Sequence, residues 1–301
     1  MSRPAGTLAA GTGGTGEAGE AGGTGGTGGT GEGELGAALG RLRRRQRRRR
    51  RTDLALSIAT PVALVGLWQL AADQHWVDPR IFTPPSQIAV AAGQLISAGT
   101  LPSDLGYTLA RLLVGYAIGA AAGVVVGLLL GLVRPLRAAL SPLFTALYAV
   151  PQIALLPLLL VIFGIGETPK VLTVVAVTFF VLEINALAAV RNFDPRLLEA
   201  GRAYGANGRK LFRHVLLPGA LPQIFTGLRV SIALGLVVIT ATEFVASNNG
   251  LGFLVWNSWQ LFQPDQMYVG LVTIAVVGVL LTAVITLVER LALPWLHHRH
   301  R

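Results

Sequence analysis

Six apolar segments, each long enough to cross a lipid bilayer, constrain this chain more than any other feature. A helix of about 20 residues is about 30 Å long, which matches the hydrocarbon thickness of a bilayer. Because a membrane interior offers no water to the backbone, each segment must satisfy its own hydrogen bonds as a helix. The sequence therefore predicts an all-α membrane protein with six transmembrane helices. Their predicted positions are about 54–72, 107–133, 140–165, 171–190, 225–246 and 267–288.

The composition favours a membrane protein over a nucleic-acid-binding one. Of the residues, 52% are hydrophobic and 13% are charged, which is too apolar for a soluble domain of this length. The run Arg41–Arg51 holds 9 of the 25 Lys and Arg residues and so contributes much of the net charge of +10. An arginine cluster beside a membrane helix stays on the cytoplasmic side and attracts anionic lipid. We therefore predict contact with membrane lipid and no nucleic-acid partner.

Two terminal regions flank the predicted transmembrane domain, which covers residues 53–296. Residues 1–52 form a Gly/Thr-rich and then Arg-rich leader with few large apolar side chains. Such a segment cannot offset the entropy lost on ordering, so we expect it to be disordered. Residues 297–301 form a basic tail that contains three histidines. A solvated tail is favoured over a metal site, and the absence of cysteine excludes thiolate ligands. We predict no metal.

The distribution of basic residues predicts the topology. With the N-terminus inside, 22 of the 25 Lys and Arg residues lie in cytoplasmic segments, and the outer segments hold only Arg80 and Lys170. This asymmetry satisfies the positive-inside rule. It predicts a multi-pass protein of the inner (plasma) membrane with both termini in the cytoplasm. Arg134 and Arg137 then mark a short inner loop between the second and third spans.

Two predicted spans carry packing or bending signals. Prolines interrupt the third span at Pro142, Pro151 and Pro157, which predicts a broken helix beside the pathway. Glycine recurs every four residues in the second span, as a small-residue stripe for close helix packing. Because four residues turn a helix by about 400°, this stripe could serve more than one neighbouring helix. The glycines are Gly115, Gly119, Gly123, Gly127 and Gly131.

A polar and basic segment, residues 194–218, separates the fourth and fifth spans. Asp194 followed by a proline is a helix-start signal, and Gly205 is a helix-stop signal. A second short helix, capped by Asn207 and ended by Pro218, is predicted to follow. Small residues leave part of the surface without bulk, so that the backbone of another protein could approach closely. These residues are Gly201, Ala203, Gly205 and Ala206.

This segment resembles the EAA motif of the membrane subunits of ATP-binding-cassette importers, Glu-Ala-Ala-x3-Gly-x9-Ile-x-Leu-Pro. The full spacing is kept, with Gly201 and Val215 as departures. The resemblance implies that residues 194–218, called the coupling segment from here on, form a coupling helix that sits in a groove of a separate ATPase subunit. The implied ATPase-coupling residues are Glu199, Ala200, Gly201, Gly205, Val215, Leu217 and Pro218.

Over roughly residues 60–290 the chain also resembles the nitrate, sulfonate and taurine group of these permeases, especially the aliphatic sulfonate type. The resemblance implies a type I importer fold and an extracytoplasmic solute-binding protein. It also implies a second permease subunit, which is either another copy in a homodimer or a paralogue. The chain has no Gly-x4-Gly-Lys-Ser/Thr phosphate loop, so we predict that it is not an enzyme and binds no cofactor. The matching motifs are Leu67-Trp68-Gln69-Leu70, Pro84-Pro85-Ser86, Thr108-Leu109-x-Arg111, Val150-Pro151-Gln152, Phe163-Gly164-Ile165-Gly166 and Asn249-Gly250-Leu251-Gly252.

Three ionisable residues, Arg111, Glu183 and Glu243, fall inside predicted spans. Charged groups are costly in hydrocarbon, so each should face the bundle interior or water. Arg111 and Glu243 lie about one turn in from the outer ends of their spans, where they are candidates for an ion pair that acts as a gate or as a structural tie. Glu183 lies deeper and could line the pathway or hydrogen-bond a neighbouring helix. We expect Glu243→Ala to lower transport while the protein still assembles.

The sequence thus predicts the permease subunit of an ATP-driven importer. Its pathway would carry a small anionic solute such as an aliphatic sulfonate, nitrate or taurine. Carriers of pyrimidine precursors of vitamins are similar enough to remain alternatives. A different mechanism is an ion-coupled secondary transporter that uses Glu183 and Glu243 as relay groups, which leaves the spacing of the coupling segment without a purpose. A membrane scaffold with no transport role is disfavoured by the broken third span.

Overall fold

The structure is a computed structural model that describes residues 52–297 except 53, 54, 58, 79 and 80. The predicted leader, apart from Thr52, and the tail beyond His297 lie outside the described residues. Within the described residues the regular structure is helical throughout. By length and composition five of the described helices can cross a membrane, or six if one bent pair counts as a single span. The predicted all-α membrane class is confirmed.

The helices are labelled in chain order. They are α1 (Ala55–Asp73), α2 (Pro85–Ser97), α3 (Thr100–Leu132), α4 (Arg134–Tyr148), α5 (Leu156–Phe163), α6 (Glu167–Arg191), α7 (Pro195–Ala203), α8 (Arg209–Leu211), α9 (Leu217–Ala246), α10 (Leu251–Gln260), α11 (Pro264–Ala292) and α12 (Pro294–His297). A 3₁₀ turn, Gln152–Leu155, precedes α5, and a π-helical turn, Phe212–Leu216, precedes α9.

Contacts divide the chain into two units, Met1–Leu64 and Val65–Arg301. The first contributes the beginning of α1, and the second holds the rest of α1 and the other described helices. Within the second unit, Trp68 of α1 packs against Tyr268 of α11, with ring centroids 5.4 Å apart. Gln69 also accepts a hydrogen bond of 3.0 Å from the Ser86 amide at the start of α2. Two of the short motifs recognised in the sequence therefore contact each other.

The glycine stripe of α3 packs on a single neighbour, α6. A Cβ atom on Gly115 would lie 2.7 Å from Cβ of Val174, one on Gly119 would lie 2.9 Å from Cβ of Thr178, and the other three glycines face the same helix. The expectation that the stripe could serve several neighbours is therefore wrong. The α6 residues that it meets also recur every four positions, so the two rows drift around their helices together and stay in contact.

The third predicted span contains one break, where α4 and the segment Gln152–Phe163 meet at 87°. Pro151 lies at this break. Pro142, by contrast, lies inside α4 without ending it, and Pro157 lies in the first turn of α5. A proline in the first turn is tolerated because its missing amide hydrogen would have no helical partner there. The prediction of a broken span is confirmed, with one interruption instead of three.

Some predicted loops are helical. Arg134 and Arg137 lie in the first turns of α4, which a single residue, Val133, separates from α3. They therefore do not form the expected inner loop. Lys170, which was expected in an outer segment, lies in the first turn of α6 and is buried. At 33 residues, α3 is about 50 Å long and exceeds the hydrocarbon thickness, so it begins earlier than the predicted second span.

Candidate functional site

The first half of the coupling segment is a short helix, α7, with defined ends. Oδ1 of Asp194 accepts a hydrogen bond of 2.9 Å from the Arg196 amide, as the sequence predicts for an N-cap. At the other end the Gly205 amide donates to the Arg202 carbonyl at 2.9 Å, and the Ala206 amide donates to the Gly201 carbonyl at 3.0 Å. This pair of bonds is a Schellman motif, which requires the left-handed φ of 80° that Gly205 adopts. The predicted start and stop are confirmed.

The second half differs from the prediction. Within the described residues no side chain caps α8; the residue at the N-cap is Gly208, and Asn207 contributes only its backbone carbonyl. The helix also does not end at Pro218, because α8 continues through the π-helical turn into α9. The wider π turn lies directly before the proline and relieves the clash between its ring and the preceding carbonyl. The second half of the coupling segment is therefore continuous with a membrane-spanning helix.

Gly201 contacts the second half of the coupling segment instead of leaving space for a partner. A Cβ atom at Gly201 would lie 2.9 Å from Cδ1 of Leu211 and 3.1 Å from Cγ2 of Val215. The interpretation of Gly201 as a gap for a foreign backbone is therefore wrong. The two residues that depart from the family motif, Gly201 and Val215, pack on each other.

The coupling segment exposes two large apolar side chains together with several basic ones. Leu197 and Tyr204 are exposed, and Tyr204 is 93% accessible. They are seven residues apart, so they lie on the same side of α7, with exposed Ala200 between them. Of the predicted coupling residues, Glu199, Ala200 and Gly205 are exposed, whereas Gly201, Val215, Leu217 and Pro218 are partly buried. The exposed basic residues of the segment are Arg196, Arg202, Arg209, Lys210 and Arg213.

A second candidate region, the polar network, lies where the N-terminal part of α3 meets α6, α9 and the start of α10. At its centre, Nη1 of Arg111 lies 2.7 Å from Oε1 of Glu243. Arg111 is 3% exposed and Glu243 is 0% exposed. The ion pair considered for these two residues is therefore present. The network consists of Asp104, Thr108, Arg111, Glu167, Lys170, Glu243, Ser247 and Asn249.

The polar network holds the N-terminus of α10. Three consecutive amides at this end find side-chain acceptors: Gly250 donates to Asp104 at 2.7 Å, Leu251 donates to Thr108 at 2.8 Å, and Gly252 donates to Glu243 at 2.9 Å. The first amides of a helix have no partners within the helix. Negative charge at this position is also stabilised by the helix dipole. Distant parts of the sequence thus cap one short helix.

Arg111 uses all five of its N–H donors. Nη1 donates to Glu243 and to the Asn249 carbonyl at 3.0 Å, and Nη2 donates to the Asn249 side chain and to Oε1 of Glu167 at 2.8 Å. Nε donates to the second oxygen of Glu167. Every donor of this buried guanidinium therefore has an acceptor, as a buried polar group requires.

Lys170 adds a second buried cation to the polar network. Its Nζ donates to Oε1 of Glu167 at 3.0 Å and to Oγ of Ser247 at 3.2 Å, and the residue is 4% exposed. Glu167, in contrast, is 58% exposed. The two acidic partners of Arg111 therefore differ, because Glu243 is enclosed and Glu167 reaches solvent-accessible surface.

Glu183 lies apart from this network, in the middle of α6. It is 2% exposed, and within the described part of the chain its carboxylate has no hydrogen-bond donor. The expected hydrogen bond to a neighbouring helix is made instead by Asn185, whose side-chain oxygen accepts a bond of 2.9 Å from Gln223 of α9.

Most residues of the polar network were not predicted from the sequence to lie together. Thr108 and Asn249 belong to two of the short motifs that resemble the permease family. Nothing in either motif indicated that the two would join the same hydrogen-bond network. Lys170 was counted as a loop residue and Glu167 was not considered. Lys170 and Glu167 follow a glycine-containing turn at the end of an apolar run. This position was the signal in the sequence that could have identified them.

The fold and these two regions define a class: a helical membrane protein with an exposed polar and basic segment between two spans. A family model described as "Binding-protein-dependent transport system inner membrane component" matches residues 89–299. The chain therefore belongs to this family of importer permeases, and it is a multi-pass inner-membrane protein. Membership implies that it works with a solute-binding protein and with an ATPase on a separate chain.

Relatives support this assignment. The chain is 38% identical over 235 residues to the aliphatic sulfonates transport permease SsuC of Escherichia coli (strain K12), covering 78% of this chain and 89% of SsuC. It is 32% identical over 247 residues to the taurine transport permease TauC of the same strain, covering 80% and 90%. It is also 38% identical over 242 residues to the riboflavin transport permease RibX of Chloroflexus aurantiacus (strain ATCC 29366 / DSM 635 / J-10-fl), covering 79% and 90%.

Solved structures share the fold. A methionine ABC transporter in an inward-facing conformation matches with a TM-score of 0.56 and 24% identity, over 62% of this chain and 93% of that one. At this identity the match concerns the fold alone. Together with the family match, it confirms the predicted type I importer architecture.

Proposed function

We propose that this chain forms the translocation pathway of an ATP-driven importer for a small anionic solute, with aliphatic sulfonates and taurine as the first candidates. The coupling segment carries this proposal. Its exposed Leu197 and Tyr204 offer an apolar centre for a partner's groove, and interface hot spots favour such large side chains in a desolvated centre. Its continuity with α9 allows a movement of the partner to reach a membrane-spanning helix.

The proposal includes an assembly and an orientation. Two copies of the chain pair around a twofold axis, and each coupling segment contacts one ATPase subunit in the cytoplasm. Both termini lie on the same side as the coupling segment, consistent with the excess of basic residues there. ATP binding by the partner moves both coupling segments, and the spans alternate between outward and inward openings.

Within this assembly, we assign the Arg111–Glu243 pair to a structural tie. Glu243 is fully enclosed and accepts hydrogen bonds from three different residues, Thr108, Arg111 and Gly252. Opening such a pair leaves buried charges without partners, which costs several kcal/mol, about 3–5 in measured cases. A contact that must open in every transport cycle is better made of groups that can reach water.

One observation favours a competing mechanism. Glu183 is buried in the middle of α6 and its carboxylate has no donor among the described residues. Buried carboxylates inside membrane domains are often proton relays. An ion-coupled secondary transporter would use this group. Glu243, the other relay residue considered, is fully engaged in the polar network and does not support that mechanism.

Uptake under selective energy depletion distinguishes the two mechanisms. The chain is co-expressed with a candidate ATPase subunit that carries a phosphate loop and with a candidate secreted solute-binding protein, and uptake of labelled ethanesulfonate is measured. An importer continues when the proton gradient is dissipated and stops when ATP is depleted. The opposite pattern contradicts the proposal. Glu183→Gln is the matched variant: it retains most uptake in the importer and loses it in a proton-coupled carrier.

The solute class requires a separate measurement, because relatives of similar identity are named for sulfonates and for riboflavin. Unlabelled taurine, nitrate, riboflavin and a pyrimidine precursor are added in excess to the ethanesulfonate uptake assay. Competition by taurine but not by riboflavin supports the sulfonate proposal. Competition by riboflavin alone replaces it.

A further inference from the structure

We propose that Arg111 and Lys170 form a binding site for a sulfonate or a similar oxyanion, and that the Glu167 carboxylate fills this site in the present structure. The inference rests on the proposed function, because it names the group of the transported solute that the permease itself recognises. It also divides the polar network into a fixed part around Glu243 and an exchangeable part around Glu167.

The donors that converge on Glu167 resemble an anion site. Nε and Nη2 of Arg111 contact both of its carboxylate oxygens, and Nζ of Lys170 lies 3.0 Å from one of them. Both cations are buried, at 3% and 4% exposure. A guanidinium binds planar or tetrahedral oxyanions through two parallel N–H groups, and a nearby ammonium adds a point charge. Two desolvated cations directed at one carboxylate form a site that already holds an anionic group.

The occupant is positioned to leave. Glu167 is 58% exposed, and it is the first residue of α6, directly after a turn that contains Gly164 and Gly166. Ile165 in that turn is 92% exposed. A side chain at a helix start, next to an exposed turn, can rotate away without disturbing the packed part of α6. Glu243 has no such freedom, because it lies inside the bundle and caps α10.

Departure of Glu167 creates a vacancy that favours an oxyanion. It leaves two N–H groups of Arg111 and one of Lys170 without their acceptor. Unsatisfied buried donors cost about 1–3 kcal/mol each, and more when they are charged. A monoanionic sulfonate restores the lost charge and supplies acceptor oxygens for these three N–H groups. Neutral solutes restore neither the charge nor the contacts.

The test measures binding of sodium ethanesulfonate to the purified full chain in phosphatidylcholine nanodiscs by isothermal titration calorimetry at constant ionic strength. Glu167→Gln removes the internal competitor. If the wild-type site is open about a tenth of the time, this variant binds about tenfold more tightly. The double variant Glu167→Gln with Lys170→Gln returns binding to the wild-type level or below, while Arg111 and Glu243 remain paired.

Glu289→Gln is the matched control. It removes one carboxylate from another ion pair, with Arg229, but it leaves a single cation, so no gain in ethanesulfonate binding is expected. Failure of Glu167→Gln to gain affinity, or an equal gain in Glu289→Gln, overturns the site. A second preparation that contains phosphatidylglycerol separates two sources of oxyanion: if the lipid abolishes the gain, the site binds headgroup phosphate and its role for a solute is refuted.

These measurements need no ATPase. Co-purification of the same variants with the partner ATPase tests the importer function separately. Loss of the affinity gain with normal ATPase association refutes only the anion site. A gain in affinity without any ATPase association refutes the importer and leaves the binding site in place.

Discussion

The coupling segment and the polar network are built in opposite ways. The coupling segment is exposed, is defined by backbone hydrogen bonds between residues close in sequence, and presents Leu197 and Tyr204 outward. The polar network is buried and joins α3, α6, α9 and α10 through charged side chains. Changes in the polar network should therefore act first on folding, whereas changes in the coupling segment should act first on partner binding.

The largest effect is expected for Glu243→Ala. The variant leaves buried Arg111 without one acidic partner and Gly252 without its acceptor, so we expect about 3–5 kcal/mol of destabilisation. This revises the sequence-based expectation of normal assembly. The measurement is the midpoint temperature for loss of folded protein in nanodiscs. Glu289→Ala, which breaks an ion pair to the partly exposed Arg229, should cost at most about 1 kcal/mol. An unchanged midpoint with loss of uptake would make the pair a gate.

The second effect concerns Tyr204→Asp in the coupling segment. A charge at the centre of an apolar docking face should weaken ATPase association by about 2 kcal/mol or more, about thirtyfold. Because Tyr204 is almost fully exposed, the thermal midpoint of the permease should not change. Affinity is measured by titrating the ATPase onto nanodisc-held permease. Trp76→Asp, an exposed aromatic residue outside the segment, is the control. Equal weakening by both variants would break the assignment of the docking face.

A smaller effect is expected for Gly205→Val. At φ 80° a β-branched residue is strained by about 1–2 kcal/mol, so the end of α7 should loosen and uptake per ATP hydrolysed should fall several-fold. Gly205→Asn should restore most of it, since Asn tolerates the left-handed region. If both variants couple normally, the geometry of this turn does not matter for transport.

The smallest effect is expected for Gly201→Ala. The new methyl group would meet Cδ1 of Leu211 at 2.9 Å, and this flexible end can rotate away, so the cost should stay below about 1 kcal/mol. Gly119→Ala is the comparison, because there the methyl group meets the Val175 carbonyl at 2.7 Å. A backbone carbonyl cannot move aside in this way. We therefore expect Gly119→Ala to destabilise the protein by about 1–3 kcal/mol, as overpacking does in other cores. Thermal midpoints of both variants decide the point.

The sequence was most informative where structure depends on near neighbours. Asp194 and Gly205 mark the ends of α7 because their capping bonds reach only two to five residues along the chain. The family resemblance, based on motif spacing, agreed with the family match. Local rules failed at Pro218, where the adjacent π-helical turn lets the helix continue.

The sequence alone determined that the chain is a helical membrane protein, since apolar segments of this length have no other stable form in a bilayer. The resemblance of its motifs predicted the permease family that the family match confirmed. Capping signals in the sequence also predicted the position and the ends of α7. Only the tertiary structure decided that Gly201 packs inward, that one helix receives the whole glycine stripe, and that Arg111 is shared between Glu243 and Glu167. The reason is that the partners of a buried charge depend on which helix faces come together in the fold. For residues more than 50 positions apart, the order of the chain does not reveal this.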